Sequence, residues 1–229
     1  MKTVAIHQPN FMPWLQFFDK MKKCDQFVFL DDVQYEKNGW QNRHKIRTSD
    51  DSLWITIPVK SHLNLKLNQT KIDYTHNWFD KHRKSFLMNY SKAKYFDNNW
   101  KSIEKIFDMN YENIIHLNLD IIEFIKKKFN IKTETILSSE LDITSNGSKR
   151  IIDICKKLDA DIYLSGRGLP GKKYIDENDF EINNVQLQYQ NFIHPEYEQC
   201  YPLFVPNLTS LDLLFNQGKF LTIVNKNIE

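Results

Sequence analysis

The sequence predicts an α/β domain built on a parallel, Rossmann-like sheet, and three features carry that expectation. A short apolar run, Thr3–Ile6, is followed by a loop, a helical stretch and a second apolar run, Gln26–Leu30. That order is a βαβ unit, which builds parallel sheets. A later apolar run, Asp161–Leu164, feeds a glycine-bearing loop, Ser165–Gly171. Between them, roughly residues 60–140 carry helical periodicity, expected as an inserted helical subdomain or lid within one domain spanning 1–229.

Each element follows from local pattern. Pro9 and Pro13 force a loop after the first strand, and Leu15, Phe18 and Met21 then fall at helical spacing to Lys23. Trp54–Val59 reads as a third strand, at an edge because of Pro58, and Leu65–Asp73 as a short further one. Helices are expected over Asn77–Tyr90, Trp100–Phe107, Tyr111–Phe129 and Lys149–Leu158, the last capped by Ser148. Val185–Gln190 reads as the last strand.

Bulk properties narrow the function classes. A chain of 229 residues buries roughly 70% of its unfolded surface, enough for a real core. Thirty-one basic against 29 acidic residues give a net charge of +2, which argues against general nucleic-acid binding. Cys24, Cys155 and Cys200 lack CxxC or Cys/His spacing, so no structural zinc is expected. Free thiols, the lack of a signal-like start and the lack of an apolar run near about 18 residues predict a cytoplasmic protein without membrane insertion.

Three polar segments stand where parallel sheets place ligands, at the carboxyl ends of strands. The first holds His7, Gln8, Asn10 and Trp14 on the proline-stiffened loop. Its bland reading is a turn whose polar groups satisfy nearby backbone. The second runs from Asp31 through Asp32, Gln34, Tyr35, Lys37, Asn38, Trp40 and Asn42 to Arg43. Its paired carboxylates suit Mg²⁺ by type, yet adjacent residues in a strand point to opposite faces; tying down the loop or capping Arg43 are the alternatives. The third, Ser165-Gly166 followed by Lys173, Tyr174 and Asp176, offers backbone N–H groups and lysines to a phosphate, but matches neither a Walker A loop nor GxGxxG. His82 lies in a basic helical stretch, and His194 is pinned on a loop by Pro195. His44, His62, His76 and His116 carry no usable context. Of the tryptophans, Trp54, Trp78 and Trp100 are expected in the core, with Trp14 and Trp40 in the polar loops.

The segments IHQPNFMPWLQFF, FLDDVQYEKNGWQNR, YLSGRGLPGKKYID, FIHPEY and SLDLLFNQG together resemble the WbqC-like family of bacteria, from residue 6 to residue 218. Gln16 departs from the glycine of the PWLGFF-type version, and the Arg167–Gly171 loop is longer than usual. The resemblance implies a role in O-antigen, capsule or related surface-glycan synthesis. A more distant likeness, of the strand–His loop–helix order, is to the HUP-type fold of pantothenate synthetase and nucleotidylyltransferases. Only His7 matches its HxGH-like motif, with Asn10 near the place of the second histidine. This likeness implies ATP activation of a carboxylate and its transfer to an amine. His7 and Lys173 would then steady phosphate charge, and Asn10, Gln34 and Asn42 would orient substrates.

The expected function is therefore acyl or aminoacyl transfer onto a nucleotide-linked amino sugar, using ATP with Mg²⁺ or an acyl-thioester donor. The alternatives are nucleotidyl or other group transfer on a sugar phosphate, and a non-catalytic nucleotide-sugar binder. Asp32, Asn42 and Arg43 join His7, Asn10 and Gln34 as candidate catalytic residues. Gln8, Trp14, Tyr35, Lys37, Asn38, Trp40, His82, Ser165, Gly166, Lys173, Tyr174, Asp176 and His194 are the candidate substrate contacts.

Overall fold

The computed structural model describes residues 1–60, 64–166 and 175–220. Along the chain the elements are β1 (Thr3–His7), α1 (Leu15–Lys22), β2 (Gln26–Phe29), β3 (Arg43–Arg47), β4 (Ser52–Thr56), β5 (Val59–Lys60) and β6 (Lys71–Ile72). They continue with α2 (Trp78–Tyr90), α3 (Phe96–Phe107), α4 (Ile114–Lys128), β7 (Glu134–Leu137), α5 (Gly147–Lys157), β8 (Ile162–Ser165), α6 (Glu177–Ile182), β9 (Gln186–Tyr189) and α7 (Ser210–Gln217).

Five strands form the central sheet in the order β7-β2-β1-β8-β9, and every neighbouring pair is parallel. Taken in chain order this is 3-2-1-4-5, the doubly wound Rossmann-like arrangement. β1 and β2 lack polar alternation because both faces are covered. Ala5, Phe27 and Phe29 face a core shared with α1, α2, α3, α4 and α7. Val4, Ile6 and Val28 face the opposite core with α5 and Phe180 of α6. The helices between β2 and β7 thus pack into the same core as the sheet. None of the described helices is long and apolar enough to cross a membrane.

Several expected elements differ in detail. Trp54–Val59 is not one strand: β4 ends at Thr56, and β5 follows Pro58, which has no N–H to continue a ladder. Of Leu65–Asp73, Lys71–Ile72 forms β6, paired with β5, after a 3₁₀ segment at Leu67–Gln69. α5 begins at Gly147 with Asn146 as its cap; the Ser148 hydroxyl instead accepts the Asp176 N–H at 3.3 Å. β3 was hidden in charged sequence (RHKIR), yet it pairs antiparallel with β4 and turns His44 and Ile46 inward. β7, α6 and α7 also escape the sequence pattern, the first because its four residues form a half-exposed edge.

Candidate functional site

The winding of the sheet reverses between β1 and β8, and the crevice at the carboxyl ends of those strands is where such folds take ligands. His7 ends β1 and Ser165 ends β8. The loops that follow β1 and β2 are bound into one unit. The Phe11 N–H donates to the Trp40 carbonyl at 2.9 Å, and Gln41 Nε2 donates to Gln8 Oε1 at 2.9 Å. Asn118 of α4, fully buried, donates to both the Pro9 and Gln41 carbonyls at 2.8 Å. Two segments far apart in sequence therefore make one rigid floor.

His7 is held by a 2.9 Å contact between Nδ1 and the Gln8 carbonyl, so Nδ1 carries the proton and Nε2 keeps its lone pair. Among the described residues Nε2 takes no hydrogen bond. The ring packs edge-on against Phe17 at 5.1 Å and Trp14 at 5.8 Å. Burial, and secondarily the charge of Lys20, pushes its pKa down to about 3. Burial therefore favours the neutral imidazole.

An aromatic wall leads outward from His7. Trp14 stacks on His44 at 5.7 Å and meets Trp40 at 5.4 Å; Trp40 in turn meets Trp54 at 5.3 Å. Arg43 lies over Trp54 at 4.4 Å, with Lys45 beside it at 5.3 Å. Trp54, expected in the core, is 40% exposed, and Trp40 is 42% exposed. The wall therefore ends in an open aromatic face carrying two cations. Tyr35 is buried, and burial raises its pKa against the opposing charge of Arg43.

Among the described residues, four buried polar atoms here have no partner: Asn10 Oδ1, Asn42 Oδ1, Arg43 Nε and His44 Nε2. Asn42 does hold the Ile57 carbonyl through Nδ2 at 2.8 Å. The Lys45 N–H donates to His44 Nδ1 at 2.9 Å, which leaves the His44 proton on Nε2. Burial lowers the His44 pKa to about 4. Two acceptors and two donors are thus left open, each costing about 1–3 kcal/mol while unsatisfied.

The carboxylates after β2 serve the scaffold. Asp31 accepts from the Ser138 hydroxyl, the Ser139 N–H and Asn68. Asp32 takes both oxygens to Arg150, at 2.6 and 2.8 Å, and not to Arg43. Among the described residues no three His, Cys, Asp or Glu gather to hold an ion. Both carboxylates after β2 are thus engaged by the scaffold. Burial pushes the Asp32 carboxyl up, but Ser138 and Arg150 outweigh it, so its pKa lies below the ordinary carboxylate range. A depressed folded pKa contributes stability above the unfolded value that is lost as pH falls through the folded one. Asp32→Asn is expected to cost about 2–3 kcal/mol, less than a fully buried pair because 15% of the Asp32 and 12% of the Arg150 side chain stays exposed. Urea unfolding of both proteins should show the gap at neutral pH closing below about pH 4.

Other candidates stand outside this unit. Gln34 is exposed and bonds Asn64 at 3.4 Å, and Lys37 and Asn38 sit on an exposed turn. His82 is buried against Trp78, and burial lowers its pKa to about 4. His194 is a loop staple: Nδ1 meets the Pro195 carbonyl and Nε2 accepts the Asn207 N–H. Asp176 caps α6. Gly166 follows β8 directly, and a Cβ there would meet nothing. Lys173 and Tyr174 lie outside the described residues.

Sequence reading missed His44, Gln41, Asn118 and Lys20. Lys20 had a signal: it falls on the stripe Phe17-Lys20-Met21-Cys24, whose other members are apolar and buried.

Residues 8–222 match the WbqC-like protein family. An uncharacterized protein of Mycobacterium tuberculosis (strain ATCC 25618 / H37Rv), Rv1507c, is 32% identical over 222 residues, covering 95% of each chain. No solved structure matches. Matched over nearly its whole length, the chain belongs to the WbqC-like protein family.

Proposed function

We propose that the protein transfers an acyl group from a thioester donor to the amine of a nucleotide-linked amino sugar. The observation that carries this reading is His7, a neutral imidazole fixed through Nδ1 with its Nε2 lone pair open in the β1–β8 crevice. In amide formation the amine attacks the acyl carbonyl, a base takes the proton that nitrogen must lose, and the thiolate leaves; Nε2 is that base. The unpartnered atoms of Asn10, Asn42, Arg43 and His44 favour a ligand of hydroxyl groups, each of which both donates and accepts. The open Trp40–Trp54 face with Arg43 and Lys45 suits a ring and its phosphates. A thioester donor is preferred to ATP activation because Asp31 and Asp32 are both engaged by the scaffold.

The test is mass spectrometry of the purified protein incubated with acyl-CoA and a panel of nucleotide-linked amino sugars. An acylated sugar with stoichiometric free thiol is the expected result. Binding of nucleotide-sugar without product under all donors would replace this reading with a non-catalytic binder. Product requiring ATP, with release of AMP or pyrophosphate, would replace the donor.

Trp40→Ala is expected to raise KM for the sugar roughly tenfold or more while changing kcat little, because a stacking contact made equally in ground and transition states acts on binding. Steady-state kinetics on the two proteins decides this; an unchanged KM would remove the aromatic face from the site.

A further inference from the structure

Lys20 lies on α1 with 4% of its surface exposed, its Nζ 5.9 Å from the centre of the Phe27 ring. Its Nζ donates to the Ile6 carbonyl at 3.0 Å. Among the described residues it has neither a second hydrogen bond nor a carboxylate partner. The direction of that carbonyl follows from the strand ladder. The Leu30 N–H donates to the His7 carbonyl, so His7 faces β2, and the neighbouring Ile6 carbonyl faces β8. The Ile162 N–H donates to the Lys2 carbonyl, and steps of two residues bring the β8-facing acceptors to Val4 and then Ile6. The paired register of β1 with β8 ends at Ala5–Leu164. Lys20 thus takes the first acceptor beyond the last pair, where the two strands part at the reversal of winding. A buried lysine with one neutral partner is costly, since an ammonium removed from water needs an opposing charge or further hydrogen bonds.

We propose that Lys20 is the receptor for an oxyanion of the ligand, a carboxylate or a phosphate, entering the split between β1 and β8. Nζ has three donors, so two remain for the anion once Ile6 is served. The open Nε2 of His7, one residue from Ile6, accepts from a donor on the same ligand. The group recognised is therefore an oxyanion with an N–H or O–H nearby. Burial lowers the Lys20 pKa to about 7, and an arriving anion favours its protonated form. The titratable groups coupled to it are His7 of β1 and Cys24, just past the end of α1. This rests on the same His7 crevice as the acyl-transfer reading and names what it binds; titration of Lys20 reads anion binding without turnover, so the two can fail separately.

The test is NMR titration of the whole protein carrying lysine labelled at Cε, with the Lys20 signal identified by its absence in Lys20→Met. Acetate, glycine and inorganic phosphate are the probes, with chloride as the control. A midpoint near neutrality is expected without oxyanion, rising by roughly one unit or more with the oxyanion, as an opposite charge within a few ångströms produces. A rise with acetate or glycine alone identifies a carboxylate site, and a rise with phosphate alone a phosphate site. No movement with any probe beyond the chloride control, or an ordinary lysine midpoint from the start, would overturn the proposal. The wild-type titration decides the question even if Lys20→Met folds poorly. Where it folds, its affinity for the active probe should fall at least tenfold.

Discussion

His7→Ala is expected to lower kcat by roughly two to four orders of magnitude, the usual contribution of a positioned general base, with the fold retained. The ring sits at a strand end and its backbone pairing does not depend on the side chain. Its loss removes edge contacts with Trp14 and Phe17, a modest packing cost. The pH profile supplies the sharper test. A base must be unprotonated to act, and burial keeps free His7 unprotonated down to about pH 3. The acid limb of kcat/KM in the wild type, to the extent that His7 sets it, should thus lie near 3 and not near the ordinary imidazole value. An anion paired with Lys20 would cancel the smaller of the two depressing effects and make His7 more basic in the complex, so the limb in kcat should lie higher than in kcat/KM. Measuring both profiles on wild type, with circular dichroism of His7→Ala, separates a catalytic from a structural role. Full activity in His7→Ala would end the assignment.

The part of this site that was legible lies where local sequence fixes local structure. The apolar strand Thr3–Ile6 and the prolines behind it place His7, Gln8, Asn10 and Trp14 at a strand end without knowledge of any partner. What was hidden depends on partners distant in the chain. Nothing near Asp32 announces Arg150, 118 residues on, so a candidate metal carboxylate proved to be half of an ion pair. His44 became part of the aromatic wall only because charged Arg43–Arg47 pairs with Ser52–Thr56 and turns alternate residues inward. Lys20 was obscured differently: a lysine in an amphipathic helix is read as solvent-facing by residue type, although its spacing placed it on the buried stripe.

The HisProGlu-Tyr and SerLeuAsp segments, both carriers of the family resemblance, lead to an effect on stability. Asp212 is fully buried in the first turn of α7; Tyr90 donates to one oxygen at 2.9 Å, and Tyr197 and Gln199 donate to the other at 2.8 and 2.9 Å. The Tyr90 hydroxyl also accepts the Arg47 N–H, and the Arg47 guanidinium holds four carbonyls, two of them Pro202 and Leu203. This network joins α2, α7, the 190–209 loop and the hairpin that carries Arg43 and His44. Asp212→Ala strands three buried donors and is expected to destabilise by about 3–5 kcal/mol, read as a shift in the urea midpoint. Asp212→Asn keeps an acceptor and should cost less. Burial dominates at Asp212 and raises its pKa despite the three donors. A raised folded pKa means the folded state holds its proton while the unfolded chain loses it. Wild-type stability relative to Asp212→Asn should then fall as pH rises above about 4 and level off past the folded value. A relative gain over that range would mean that the donors, and not burial, govern the carboxyl. If Asp212→Asn also leaves KM and kcat unchanged, the conspicuous C-terminal motif holds the hairpin in place without touching the ligand, and the chemistry belongs to the crevice at β1.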